Sequence, residues 1–245
     1  MSGHNKWSTI KRKKGALDSK RSKIFSKIIK DITVAVKEGG NDPEGNARLR
    51  LAIANAKGAN MPKETLQRAI NKAADKNTAA LSEMTFECYA QHGVAVFVEC
   101  LTDNNNRTVA AVRSILNKFG GSLGTNGSLN FIFSRKGVFE IPVGERDMEE
   151  LEMSLIEAGA EEIEQEDGYL TAYCPMEDFG AMQKALEEAG IEAENAELQR
   201  IPNTLVSVEL EDAKKVMRMI NLIEEDDDVQ AVYHNMEMQD ELMEE

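Results

Sequence analysis

The spacing of apolar residues changes at Met84, and that change limits the fold more than any other feature of the chain. Before it, apolar residues recur three and four apart, the period of a helix with one buried face. After it they alternate, the period of a strand with one buried face. The chain is therefore expected to begin as helices and continue as mixed sheet and helix, with its 245 residues divided among two or three compact units.

The first period predicts a helix over residues 17–37, stopped by Gly39-Gly40. Ile24, Phe25, Ile28, Ile29, Ile32 and Val36 share one face of it, and Lys20, Lys23, Lys27 and Lys30 fall on the opposite face. Asp42-Pro43 reads as a cap and first residue of a second helix, running to about residue 57. Pro62 opens a third, with Leu66, Ala69, Ile70 and Ala73 inward, and periodicity then fades into a linker at 72–82.

The second period predicts strands at 86–90 and 94–101 around a Gln91-His92-Gly93 turn, a helix at 107–118 and a strand at 129–133. Residues 137–203 read as a complete β-α-β-β-α-β unit, the ferredoxin-like order, with Gly159, Gly168 and Gly190 at its reversals. A strand at 205–209, a helix at 212–223 and a strand at 229–234 follow. Neither flanking piece buries all its faces alone, so the two are expected to combine. The expectation is an α+β fold: an N-terminal helical domain at 1–80, a discontinuous ferredoxin-like domain from 81–136 and 204–240, and a second ferredoxin-like domain at 137–203 inserted into it.

Charge is as segregated as period. Residues 1–76 hold 18 Lys or Arg against 7 Asp or Glu, whereas 77–245 hold 11 against 36, so a net charge of −14 hides a basic end. The first 30 residues alone carry ten cations and one acid, Asp18. Such a segment attracts phosphates and releases their condensed counterions, which gives affinity without sequence readout. Trp7 lies among these cations, placed either to stack on an exposed base or to anchor the segment to the helices behind it. Arg48, Arg50, Lys57, Lys63 and Arg68 extend the basic surface more weakly.

Other chemistries lack a pattern. Cys88, Cys100 and Cys174 form an odd set with no C-x-x-C pair, consistent with a reducing cytosol rather than a disulfide framework. His4, His92 and His234 are scattered, no nucleophile–base arrangement is visible, and no catalytic or metal-ligating residue and no cofactor is expected. The stretch Gly120–Gly127 follows a helix, precedes a strand and lacks a terminal Gly-Lys-Ser/Thr, so it reads as a tight connection or a backbone contact to RNA rather than a nucleotide cradle. Asp103–Thr108 sits at a helix start, where capping or an incoming anion would use the free N–H groups. No apolar run is long enough to span a membrane and no secretory leader is evident, which points to the cytoplasm.

Several stretches also resemble the hallmark segments of the YebC family: Gly3-His4-Asn5-Lys6-Trp7, Lys11–Lys14, Asp18–Phe25, Asn105-Asn106-Arg107-Thr108, Gly120–Gly124 and Asp227–Asn235. They occur in the same order and cover essentially the whole chain. The turn at 88–93 departs from the glycine- and proline-rich version common in the family. The resemblance implies a three-domain cytoplasmic α+β protein, with some relatives described as probable DNA-binding transcriptional regulators and others as translation factors acting on the ribosome. Together the two readings predict a non-enzymatic binder of nucleic acid, rRNA or DNA, with the ribosome as a candidate partner, no membrane association, and a monomer favoured. The expected contact residues are Lys6, Trp7, Lys11, Arg12, Lys13, Lys14, Lys20, Arg21, Lys23, Lys27, Lys30, Arg48, Arg50 and Arg107. The rival readings are a small-molecule sensor and a protein scaffold built on paired ferredoxin-like domains.

Overall fold

A computed structural model describes residues 18–144, 146–166 and 168–242; the side chains of residues 18–20 and 240 lie outside the description. The fold is α+β, helices first and two four-stranded sheets after. The chain divides into two compact units. One takes the chain up to Lys30, Ala79–Ser134 and the chain from Ile201 onward; the other takes Asp31–Thr78 and Arg135–Arg200.

In the first unit, β1 (Ser82–Tyr89) and β2 (Ala95–Thr102) form an antiparallel hairpin in register from Ser82↔Thr102 to Tyr89↔Ala95. The reversal uses a short 3₁₀ turn, Gln91–Gly93, in which His92 takes φ 62° and Gly93 φ 76°. Helix α4 (Asn105–Lys118) leads to a two-residue strand β3 (Ser122–Leu123) against β1, and α7 (Leu210–Glu224) leads to β8 (Val229–His234) against β2. The sheet order is β3-β1-β2-β8. Both helices pack on one face, where Val96, Val98 and Cys100 meet Val112, Leu116, Val216, Ile220 and Ile223. The other face buries Phe97, Ala231 and Tyr233 against Leu129 and Phe133.

Two expected strands are replaced here. Residues 205–209 make a single parallel bridge, Val206↔Met236, and α7 begins at Leu210. Read from β2 onward, the order β8-β2-β1-β3 is the 4-1-3-2 order of a ferredoxin-like sheet, with β1 filling the third position. The hairpin thus supplies, from upstream, the strand that 205–209 was expected to form. Residues 126–132 form consecutive turns because the buried Glu87 carboxylate on β1 captures the N–H groups of Gly127 and Leu129 at 2.6 Å each. The strand β4 (Phe133–Pro142) starts only beyond them.

In the second unit, β4, α5 (Met148–Glu157), β5 (Glu162–Glu166), β6 (Tyr169–Pro175), α6 (Phe179–Glu188) and β7 (Asn195–Pro202) follow the β-α-β-β-α-β order read from the sequence. Their sheet order, β5-β6-β4-β7, is again 4-1-3-2. Phe139, Ile141, Leu170 and Ala172 face Leu151, Leu155, Met182 and Leu186 across its core. Gly137 is required by packing, since a Cβ there would lie 2.6 Å from Cys174 Sγ and 2.7 Å from the Phe179 ring.

The unit also holds the end of α1 (Asp18–Gly39), α2 (Ala47–Gly58) and α3 (Lys63–Ala74). The cap of α2 is Asn46 rather than Asp42. Buried Asn46 accepts from Leu49 N (3.0 Å) and donates to Ala35 O (2.7 Å) and Gly40 O (2.8 Å), so one amide closes α1 and opens α2. Exposed Asp42 only accepts from Glu44 N. Asn55 exchanges two hydrogen bonds with the backbone of Ala196 on β7 (2.9 and 3.1 Å). Gly58 admits the close approach, as its Cβ would sit 1.7 Å from Glu194 O.

Candidate nucleic-acid interface

Helix α1 is amphipathic as its spacing predicts, with Ile28, Ile32 and Val36 buried, but Ile24 is 40 % exposed. Of the lysines opposite that face, Lys23 is exposed, whereas Lys27 and Lys30 are half-buried. Lys23 Nζ approaches Glu225 O at 3.4 Å, Lys27 Nζ donates to Gln230 O at 3.0 Å, and Lys30 Nζ donates to Leu101 O (2.9 Å), Asp227 O (2.7 Å) and Asp228 Oδ1 (3.0 Å). Glu225, Asp227 and Asp228 lie at the C-terminal end of α7 and in the acidic segment after it, Gln230 on β8 and Leu101 on the adjoining β2. A helix C-terminus presents unpaired carbonyls and the negative end of its dipole, so cations from another element are stabilised there. Lys30 has three donors and three acceptors, leaving none for a ligand.

Asp228 is the centre of this network. It is 5 % exposed and accepts from Lys30, Thr102 Oγ1 (3.0 Å), Thr108 Oγ1 (2.9 Å), and Arg107 Nε (3.2 Å) and Nη2 (2.6 Å). Burial alone would raise its pKa, but hydrogen bonds from Arg107, Lys30, Thr108 and Thr102 outweigh it and hold the carboxylate at about 2. Arg107 also donates to Asp103 at 2.8 Å, and hydrogen bonds to Asp228 and Asp103 push its own pKa up. Asn104 caps α4 by accepting from Arg107 N at 3.1 Å. The anion received by the side chains at this helix start is therefore the protein's own.

The remaining expected contacts are distributed. Lys6, Trp7, Lys11, Arg12, Lys13 and Lys14 lie outside the described residues, as does the side chain of Lys20. Arg21 is exposed and sits over the Phe25 ring at 5.5 Å. Arg48 pairs with Glu38 at 2.8 Å, and Arg50 donates to Pro43 O (2.9 Å) and Glu44 O (3.4 Å) in the turn before α2. The structure thus gathers Lys23, Lys27, Lys30 and Arg107 around one acidic segment and places Arg48 and Arg50 in the other unit.

The glycine-rich connection folds around a side chain of its own protein. Gly124 N donates to Glu87 O at 2.6 Å, and Gly127 N, Leu129 N and Ser128 Oγ all meet the Glu87 carboxylate. Beyond it Phe131 stands 90 % exposed, a position the alternating pattern had assigned to a strand. A signal for this region was present: residues 104–139 contain no Asp or Glu and five cations, Arg107, Arg113, Lys118, Arg135 and Lys136.

The three cysteines are free and buried. Burial, with nearby carboxylates, pushes Cys88 and Cys100 up to about 12 and Cys174 up to about 11, so none is a thiolate at neutral pH. Burial also pushes His234 down to about 4, and it accepts from Met236 N through Nδ1. Among the described residues no His, Cys, Asp and Glu group is arranged to hold a metal, and no helix is long and apolar enough to cross a membrane. A shallow groove of about 620 Å³ runs along α7 between Lys214, Arg218, Met217 and Leu242.

Two family profiles match the chain. The one described as TACO1/YebC protein N-terminal domain matches residues 5–76, and the one described as TACO1/YebC second and third domain matches residues 81–236. A probable transcriptional regulatory protein of Amoebophilus asiaticus is 54% identical over 239 residues, covering 96% of this chain and 98% of its own length. Proteins of the same description from Chlorobaculum tepidum (47% identical, covering 99% and 98%) and Brachyspira hyodysenteriae (48%, covering 100% of both) are similar throughout. The crystal structure of a conserved hypothetical protein from Aquifex aeolicus superposes with a TM-score of 0.82 at 41% identity, covering 91% of this chain and 93% of that one.

Proposed function

The chain belongs to the TACO1/YebC family, and on that footing we propose that it is a non-enzymatic, cytoplasmic regulator of gene expression that binds nucleic acid through its basic N-terminal region. The observation that carries this reading is charge segregation: 18 cations against 7 acids in residues 1–76, and the reverse imbalance after them. The basic end draws in a polyanion and the acidic remainder repels it, so the protein docks in one orientation.

The contact set is Lys6, Trp7, Lys11, Arg12, Lys13, Lys14, Lys20, Arg21 and Lys23. Lys27 and Lys30 act differently, because their ammonium groups are directed to Gln230, Leu101, Asp227 and Asp228. They position the helix that follows the basic segment. Arg107 likewise serves Asp228 rather than a phosphate. The target is ribosomal RNA or promoter DNA, and the names of the relatives favour the second.

Replacing Arg12, Lys13 and Lys14 by Glu tests the reading while keeping Lys30 and Asp228 themselves unchanged. The wild type is expected to bind RNA and DNA with a log–log salt slope near −0.9 per duplex phosphate contacted, and about −0.7 per single-strand phosphate. The triple variant should lose most of that affinity, and unchanged binding would reject the assignment. Co-sedimentation with ribosomes in 150 mM salt then separates the targets. Stoichiometric association makes the protein a translation factor, whereas its absence together with preference for particular promoters makes it a transcriptional regulator.

A further inference from the structure

Phe131 is 90 % exposed, more than any other large apolar side chain among the described residues. One exposed phenylalanine on a loose loop would need no explanation. This one sits on backbone tied down from both sides. Before it, the Glu87 carboxylate, itself 7 % exposed, accepts from Gly127 N (2.6 Å), Ser128 Oγ (3.2 Å) and Leu129 N (2.6 Å), and Leu129 is 1 % exposed. After it, Phe133 packs edge-on against Phe97 with ring centres 6.3 Å apart. Asn203 donates from Nδ2 to Phe131 O (3.1 Å) and from its backbone N to Ile132 O (2.8 Å), while Ser134 Oγ donates to Asn203 Oδ1 (2.6 Å). The loop is built, and its one exposed large apolar side chain stands in water.

The surroundings indicate what meets the ring. Its nearest apolar neighbours in sequence, Leu129 and Phe133, are buried and Ile132 half-buried, so Phe131 is not the centre of an apolar patch of the kind that anchors a protein partner. Instead Asn126 and Asn130 are exposed beside it in sequence, with amides able to donate to and accept from a base edge. The 104–139 stretch is free of acids, while the rest of 77–245 holds 36 acids against 6 cations; Arg107 is taken by Asp228 and Asp103, but Arg113 and Lys118 are exposed in the same unit as Phe131. An aromatic face, neighbouring amides and a local cation excess make up the chemistry that holds an unpaired nucleotide: the ring stacks, the amides meet the base edge, and the cations meet the phosphates.

We propose that Phe131 is a base-stacking residue for single-stranded nucleic acid, presented by the loop that Glu87 clasps. The proposal rests on the nucleic-acid reading above and adds a contact outside the basic N-terminal region.

The test compares full-length wild type, F131A, F131W and the R12E/K13E/K14E variant, using labelled oligouridylate and a labelled RNA duplex across a salt series. F131A should bind the single strand about tenfold more weakly at every salt, with an unchanged salt slope, because stacking releases no counterions. Its duplex affinity should be unchanged, since paired bases offer no free face, and F131W should bind the single strand at least as well as wild type. Single-strand binding by F131A equal to wild type overturns the proposal. If the N-terminal variant loses binding in that case, the broader reading stands alone; if wild type binds neither probe, both fall. Loss of self-association in F131A with oligonucleotide binding intact would make the residue a protein anchor and overturn base stacking.

Discussion

The two units close sheets of the same strand order around differently composed interiors. Of the eight buried polar side chains among the described residues, six (Glu87, Thr102, Thr108, Asp228, His234 and Asn235) belong to the first unit. The second buries only Asn46 and Thr171, both neutral. The second unit's sheet comes from one continuous stretch, so local hydrophobic pattern suffices to register it. The first is assembled from segments far apart in sequence, and its polar contacts span that separation: Lys30 to Asp228, Thr108 to Asp228, and Ala95 N to Asn235 Oδ1 at 2.8 Å. Directional contacts reject a slipped pairing that apolar contacts would tolerate. The comparison teaches that charge is buried where the chain must find a distant partner.

The largest expected effect that tests this contrast is D228A, which leaves Lys30 and Arg107 facing each other without their carboxylate. Breaking such a pair costs about 3–5 kcal/mol when fully buried, and partial exposure of Lys30 and Arg107 brings the expectation to about 3 kcal/mol. Urea unfolding followed by hydrogen exchange should locate the loss in the first unit. Equal loss of protection in both units would erase the distinction.

Acid should separate the units next. The buried His234 imidazole stays neutral in the folded state to about pH 4, whereas the unfolded chain takes its proton near 6.5, so stability present above 6.5 falls between those values. Asp228 is held at about 2 against 3.8, so its contribution is present above the unfolded value and falls away as pH drops from about 4 to 2. The histidine contribution is on the order of 3 kcal/mol and the aspartate contribution on the order of 2 kcal/mol. Both groups lie in the first unit, which should therefore lose exchange protection first on acidification. His234→Gln should flatten the decline between 6.5 and 4, and an unaltered decline would remove His234 from the account.

The smallest expected effect lies in the second unit. N55A removes two hydrogen bonds to Ala196 that involve no charge and should cost about 1–2 kcal/mol, with no added pH dependence between 4 and 7. A pH-dependent loss measured by chemical denaturation would contradict the description of this interior as electrically neutral.

Much of this was legible from residue spacing. The β-α-β-β-α-β order of residues 137–203 reads directly from alternation, helix period and the glycines at the reversals, because each strand pairs within the stretch. The cap of α2 was misread because Asp42-Pro43 has the right local chemistry, but Asn46 reaches Ala35 and Gly40. Residues 129–133 alternate like a strand, yet Glu87, far upstream, takes the N–H groups of Gly127 and Leu129, and those of Asn130, Ile132 and Phe133 close turns on Gly127 and Leu129. Spacing set Lys23, Lys27 and Lys30 on one face of their helix, but carried no information about the carbonyls they would meet.

By itself, the sequence determined the helix-then-sheet order, the composition of each core face and the separation of charge between the ends. These are local properties, set by the period of a backbone whose neighbours are a few residues away. Tertiary structure alone decided that β1 fills the third position in the first sheet, that Lys30 and Arg107 converge on Asp228, and that Phe131 is held out in water. Each depends on which distant segment satisfies a buried polar group, and that choice is settled only when the whole chain has excluded water from around it.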